Sequence, residues 1–111
     1  MSSIQIANTI IEQMGGADFI KFASDFVPLD GGVRFDVVLN PKGISCVEIK
    51  LIADEYQMVF YQRTKIPTMR VIQRAFNKNV YCDQLIEFFE LNTGLVTGIA
   101  PYEPQFEIQS W

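Results

Sequence analysis

The chain has 111 residues, of which 49% are hydrophobic and 13% aromatic, and its formal net charge is −4. This length and composition predict one domain with an ordinary hydrophobic core, and they exclude a disordered chain. No apolar run approaches the roughly 20 residues of a membrane span, and the N-terminus lacks the features of a signal peptide. We therefore expect a cytoplasmic protein without membrane contact.

The side chains available for catalysis are few. Histidine is absent, which removes the commonest general base and the commonest metal ligand. Cys46 and Cys82 are 36 residues apart, without CxxC spacing, and we expect packed thiols in a reducing compartment. Cys82, near the start of a predicted helix, is the better nucleophile candidate, although a packed thiol is the favoured interpretation. We expect no enzyme, no metal and no cofactor.

The N-terminal segment has the pattern of a capped helix. Ser2 and Gln5 have the spacing of a capping box. The following apolar residues share one helical face: Ile4, Ala7, Ile10, Ile11 and Met14. Gly15 and Gly16 predict the end of the helix. Residues 17–24 predict a short second helix that packs back on the first.

Three segments have the alternation of half-buried strands, namely residues 33–39, 44–53 and 56–62. Their apolar positions face one way, and charged residues such as Arg34 and Asp36 face the other way. Short turns separate the segments, which predicts an antiparallel meander. Residues 25–28, "DFVP", can add a fourth strand by pairing with residues 33–39.

After Pro67 the spacing of the apolar residues changes from that of a strand to that of a helix. Its apolar residues fit one helical face and its basic residues fit the opposite stripe: Met69, Ile72 and Phe76 against Arg70, Arg74 and Lys78. The basic stripe would span roughly 12 Å of a helix. We favour a helix over residues 68–78, with a strand as the alternative.

Residues 79–94, "NVYCDQLIEFFELNTG", predict the C-terminal helix. Asn79 is a suitable cap, Asp83 lies in the early turns, and Gly94 fits the end. The whole pattern predicts an α+β fold: a three- or four-stranded antiparallel sheet with N-terminal and C-terminal helices packed on one face. We assign residues 1–97 to a single domain and residues 98–111 to a C-terminal tail.

Three quoted stretches appear in a recognisable order: "IIEQMGGADFI" (residues 10–20), "DEYQMVFY" (54–61) and "VYCDQLIEFFELNTGL" (80–95). Together they resemble a group of small uncharacterised proteins encoded by phages and prophages. The resemblance implies a phage or prophage origin and a small single-domain product in the host cell. It carries no catalytic residue.

The positive charge is concentrated in one segment. Residues 57–82 carry a charge of +5 and no acidic residue, whereas the rest of the chain carries −9. The candidate partner-binding residues are Tyr61, Arg63, Lys65, Arg70, Arg74 and Lys78. Such a set can contact phosphates or the carboxylates of an acidic protein, and the alternative is a solvated face. Self-association is a further option, because the acidic remainder of one subunit can attract the basic segment of another.

The tail offers a second contact. Three large apolar residues follow Pro104, namely Phe106, Ile108 and Trp111, and the stretch "QFEIQ" alternates as an added strand would. We expect it to dock on its own sheet edge, or else to extend the sheet of a neighbouring subunit or partner.

These observations favour a phage-encoded accessory protein that acts by protein–protein binding. It would modulate a host system or assemble with itself, so its partner is a host protein, a phage protein or a second copy in a homo-oligomer. The alternative is a small nucleic-acid-binding protein that uses residues 61–78. That alternative is weaker, because the acidic remainder of the chain would repel a polyanion.

Overall fold

The computed structural model describes residues 2–64 and 70–104. Its elements, in chain order, are α1 (Ser3–Met14), a 3-10 helix (Gly16–Lys21), β1 (Ala23–Leu29), β2 (Gly32–Val37), β3 (Cys46–Ile52), β4 (Glu55–Thr64), β5 (Arg70–Val80) and α2 (Leu85–Thr93). The predicted α+β class is confirmed. The sheet has five strands rather than three or four. Within the described ranges, neither helix is long and apolar enough to cross a membrane.

Helix α1 begins and ends where the sequence predicts. The Ser2 backbone N–H donates to Gln5 Oε1 at 2.9 Å, and the Gln5 N–H donates to Ser2 Oγ at 3.2 Å, which completes the capping box. Gly15 ends the helix with a φ of 127°, a region that favours glycine. The short second helix is a 3-10 helix that ends at Lys21, and Ala23 already belongs to β1.

The five strands form an antiparallel meander in chain order, β1-β2-β3-β4-β5. The predicted strand pairing near residues 25–28 is confirmed, since Val27 pairs with Arg34 and Pro28 with Val33. A bulge between Ser24 and Val27 interrupts β1, which lies at one edge of the sheet. Strand β5 forms the other edge, and among the described residues it pairs with β4 alone.

Both helices pack on one face of the sheet, which we call the inner face. Phe19 of the 3-10 helix makes edge-on contacts with Phe35 of β2 and Phe89 of α2, with ring centroids 5.2 and 5.1 Å apart. Ile10 and Met14 of α1 are fully buried in the same core. The opposite, outer face of the sheet carries the charged residues of the strands, as the alternation predicts.

The prediction of a helix over residues 68–78 is wrong for its described part, because residues 70–80 form strand β5. Ala75 pairs with Phe60 and Phe76 pairs with Val59, so pairing with β4 determines the conformation. An edge strand that is exposed on both faces needs no regular alternation of apolar and polar residues. The spacing of its apolar residues could therefore also fit one face of a helix. Among the described residues of β5, Val80 alone is buried.

The C-terminal helix is shorter than predicted. It begins at Leu85 with Gln84 as its cap, and Asn79 belongs to β5 with a φ of 59°. Asp83 therefore precedes the helix instead of lying in its early turns. The predicted end is confirmed: Gly94 has a φ of 79°, and its N–H donates to the Glu90 carbonyl at 2.8 Å.

Candidate partner-binding surface

Strands β4 and β5 continue past the rest of the sheet as a two-stranded arm. The last pair between β3 and β4 is Cys46 with Tyr61. Beyond it, residues 62–64 pair with residues 70–72 of β5. We call these residues the arm. Because no strand or helix within residues 2–64 and 70–104 covers it, its apolar side chains are exposed, Val71 at 61% and Ile72 at 43%.

The register places the arm side chains on two sides. Arg63 and its partner Val71 lie on the outer face, whereas the pairs on either side of them point to the opposite side: Thr64 with Arg70, and Gln62 with Ile72. The arm is therefore basic and apolar on both sides. Arginine beside exposed aliphatic side chains is a combination found in protein–protein interfaces.

The other predicted basic residues are dispersed. A register shift next to the Phe60–Ala75 pair leaves Arg74 as an extra residue, and its Nη1 donates to Gln62 Oε1. Lys78 lies at a second register shift, opposite Gln57. From Arg70 to Lys78 the strand extends about 25 Å, at roughly 3.3 Å per residue. The predicted helical stripe of Arg70, Arg74 and Lys78 is therefore wrong, because an extended strand separates these residues and turns them to different sides.

Arg63 is held in place on the outer face. Its Nη2 lies 2.9 Å from Asp36 Oδ1, and its backbone N–H donates to Ser45 Oγ at 3.0 Å. The hydrogen bond to Asp36 raises the pKa of Arg63. The guanidinium is therefore charged at every physiological pH and stays near the base of the arm.

A cleft of about 350 Å³ lies on the outer face beside Arg63, lined by Arg34, Cys46, Glu48, Tyr61, Arg63 and Val71. Arg34 and Glu48 face each other across β2 and β3. Burial raises the pKa of the Tyr61 hydroxyl, and Glu48 raises it further, so the phenol stays neutral and can donate a hydrogen bond. Two guanidinium groups beside aromatic and aliphatic surface suit an acidic side chain with an apolar neighbour.

Sequence reasoning missed three members of this surface. Arg34 was predicted to face outward but was not linked to binding, Val71 was not considered as a binding residue, and Phe76 was placed on the apolar face of the predicted helix. Phe76 is in fact exposed on the outer face, paired with Val59 and next to Tyr61 across the strands. The strand alternative for residues 68–78 was the signal that would have found Val71 and Phe76.

The candidate nucleophiles lie away from the arm surface or are covered. Cys46 and Cys82 are free thiols, the first buried and the second partly buried against the core. Burial raises the pKa of Cys46, and the nearby Asp36 carboxylate raises it further. Among residues 2–64 and 70–104, no group of three or more cysteine, aspartate or glutamate side chains is placed to hold a metal ion.

Several predicted residues lie outside the described part of the chain: Lys65 of the basic segment, and Phe106, Ile108 and Trp111 of the tail. Docking of the tail stays a prediction. The segment from Gly94 to Pro104 forms no helix or strand, and Ile99 lies against Gly15 with its side chain partly buried.

Comparisons of the chain with protein-family models, with curated proteins and with solved structures give no match. The resemblance to phage and prophage proteins therefore depends on the quoted motifs alone.

Proposed function

We propose that this chain is a phage- or prophage-encoded accessory protein that binds an acidic region of a partner protein through the arm and the adjoining outer face. The exposure of Val71 and Ile72 between Arg63 and Arg70 carries the proposal. Exposed aliphatic groups in a monomer mark interaction sites, and arginine is enriched in interfaces because its guanidinium pairs with carboxylates in a fixed geometry.

The outer face adds preorganisation to this surface. Asp36 orients Arg63 before a partner arrives. Binding therefore loses less conformational entropy, because this side chain is already ordered. The cleft beside it presents Arg34 and Tyr61 to the same partner. A partner segment with a carboxylate next to an aliphatic or aromatic side chain would satisfy both the cleft and the arm.

A non-catalytic role suits the chemistry of the chain. Its sequence contains no histidine, and burial raises the pKa of Cys46, which keeps that thiol protonated at neutral pH. The resemblance to phage and prophage proteins fits a product that works in the host cytoplasm, where it would modulate a host system or assemble with itself.

The test is site-specific photo-cross-linking in bacteria. A photoreactive amino acid replaces Val71, and mass spectrometry identifies the cross-linked protein. We expect a discrete adduct that Arg70→Glu abolishes and nuclease treatment does not. The control replaces Ile20, whose side chain is equally exposed at 56% but lies on the 3-10 helix. Equal cross-linking from positions 20 and 71, or none from position 71, would refute the proposal.

A second candidate, binding of single-stranded nucleic acid, is favoured by one observation. Tyr61 and Phe76 present aromatic rings on the outer face, with Arg34 and Arg63 on the same face. Bases stack on such rings while guanidinium groups contact phosphates. This candidate predicts that the affinity for an oligonucleotide falls steeply with salt, and that Phe76→Ala weakens binding. Affinity that is absent, or unchanged by salt and by Phe76→Ala, excludes it.

A further inference from the structure

A second surface of the chain has the properties that the arm requires of a partner. It is a groove of about 500 Å³ beside α2, lined by Glu87, Glu90, Leu91, Gly94, Leu95 and Val96. Leu91 is 58% exposed and Val96 is 90% exposed. We call this surface the α2 groove.

The local sequence explains the groove. Helix α2 buries Leu85, Ile86 and Phe89 against the sheet, which leaves Glu87 and Leu91 on the solvent side. The chain after Gly94 is tied back to the helix, because Glu90 Oε2 accepts hydrogen bonds from the Thr97 N–H at 2.7 Å and from Thr97 Oγ1 at 2.8 Å. This contact holds the backbone on either side of Val96 next to α2.

The groove is acidic as well as apolar. Among the residues that the structure describes, neither Glu87 nor Glu90 forms an ion pair. Lys42 donates its Nζ to the Leu91 carbonyl at 2.7 Å instead of to a carboxylate. The two glutamates therefore retain their attraction for a cationic partner, with Leu91 and Val96 as its apolar complement.

We infer that the arm of one copy binds the α2 groove of a second copy. This inference depends on the proposed function and names the partner for it. Arg70 of the arm matches Glu87 and Glu90 of the groove in charge, and Ile72, on the same side of the arm as Arg70, packs against Leu91 and Val96. The distribution of charge along the chain supports the pairing. Residues 57–82 carry a charge of +5 and the remaining residues carry −9, so the basic segment of one copy can attract the acidic remainder of another.

The positions of the two surfaces favour a closed dimer. The β2–β3 connection lies against both: a Cβ at Gly94 would lie 3.0 Å from Pro41 Cβ, and a Cβ at Gly43 would lie 2.9 Å from Gln62 Nε2. The end of the groove and the base of the arm are therefore neighbours at one end of the molecule. Two copies related by a two-fold axis can exchange arms reciprocally, which uses both surfaces of both chains.

Charge reversal tests the inference on the purified full chain. Sedimentation equilibrium should show a monomer–dimer equilibrium that weakens as salt increases. Arg70→Glu or Glu87→Lys alone should weaken dimerisation at least about tenfold, because each puts like charges opposite each other. Mixing the two variants should restore the dimer, since the reversed arm then meets the reversed groove. Glu12→Lys and Lys21→Glu make the same charge changes elsewhere, and we expect wild-type association from both.

Ile72→Asp and Leu91→Asp provide a second pair of variants, one on each surface, and both should be monomeric. Circular dichroism confirms that each variant is folded. A wild-type chain that stays monomeric, or single variants that dimerise like the wild type, would overturn the inference. A chain that ends at residue 104 tests occupation by the tail: loss of the dimer on truncation would assign the groove to residues 105–111 and also overturn it.

Failure of this inference and failure of the proposed function give different results. If the purified chain is monomeric while position 71 still cross-links to another protein in cells, self-association is wrong and partner binding stands. If neither a dimer nor a cross-link forms, both are wrong.

Discussion

Arg63 of β4 and Asp36 of β2 form an ion pair of 2.9 Å that passes over Cys46 of the intervening strand β3. Both side chains are partly exposed, at 42% and 34%. An exposed pair of this kind contributes little to stability, because water screens the attraction and two side chains lose rotamer freedom. Under the proposed function, the pair would orient Arg63 toward a partner.

A double-mutant cycle on this ion pair checks its energetic contribution. We expect Arg63→Ala, Asp36→Ala and the double variant to yield a coupling free energy of about 0.5 kcal/mol in chemical denaturation. The matched control is the exposed pair Asp18–Lys21, at 3.8 Å, for which we expect a coupling no larger. A coupling of several kcal/mol would mean that the pair stabilises the sheet itself.

The two thiols should differ in reactivity. Burial raises the pKa of Cys46, so its thiolate is scarce at neutral pH, and its side chain is covered. We expect iodoacetamide to modify Cys82 first in the folded protein and to modify Cys46 only as the protein unfolds. Mass spectrometry of timed samples, with Cys46→Ser and Cys82→Ser as references, measures both rates. Faster modification of Cys46 would contradict its position beneath the Arg63–Asp36 pair.

Ionisation of Tyr56 should lower the stability of the fold at alkaline pH. Its hydroxyl donates to Gln13 Oε1 at 2.6 Å, and burial raises its pKa from 10.0 to about 12. Below pH 10 the phenol is protonated in both states, so its contribution to stability is complete. Between pH 10 and 12 the unfolded state ionises first, and the free energy of unfolding decreases.

Tyr56→Phe isolates this effect. We expect it to cost about 1 kcal/mol at neutral pH through the lost hydrogen bond, and to flatten the decrease in stability between pH 10 and 12. Urea denaturation at several pH values measures both. An unchanged slope in the variant would assign the alkaline unfolding to another group.

Substitution of Phe19 and of Phe76 should affect stability differently, because the first side chain is buried in the core and the second is exposed. Phe19 is fully buried between Phe35 and Phe89, so Phe19→Ala should lower the free energy of unfolding by about 3–5 kcal/mol. Phe76 is an exposed residue of an edge strand, and Phe76→Ala should cost less than about 1 kcal/mol. Denaturation curves of the two variants check this contrast. A large loss from Phe76→Ala would show that the outer face is covered in solution.

The central strands of the sheet could be predicted from the sequence, whereas the edge strand β5 could not. The alternation in β2, β3 and β4 marked the inner face correctly, because Phe35, Val47 and Phe60 must point toward the helices that cover them. In β5 this signal is missing. Among the described residues it has a neighbouring strand on one side only, and the extra residue Arg74 interrupts the alternation, so a helical period matched the sequence equally well.

The candidate site was predictable in composition and not in geometry. The sequence indicated Arg63, Arg70 and Tyr61 as partner-binding residues, since charge segregation is visible without coordinates. Their arrangement required the pairing register of β4 and β5, which depends on contacts across the sheet. The acidic groove beside α2 was missed for the same reason: Val96 becomes its neighbour only through the Thr97–Glu90 contact.

The arm also determines where the molecule can open without unfolding. Among the described residues, the arm has strand pairing between residues 62–64 and 70–72 and no core packing, so its amide protons should exchange with solvent far faster than those of residues 56–60. Formation of a complex on the arm would slow this exchange locally and leave the aromatic core unaffected. Under the proposed function, the protein would gain and lose partners while its aromatic core remains unchanged.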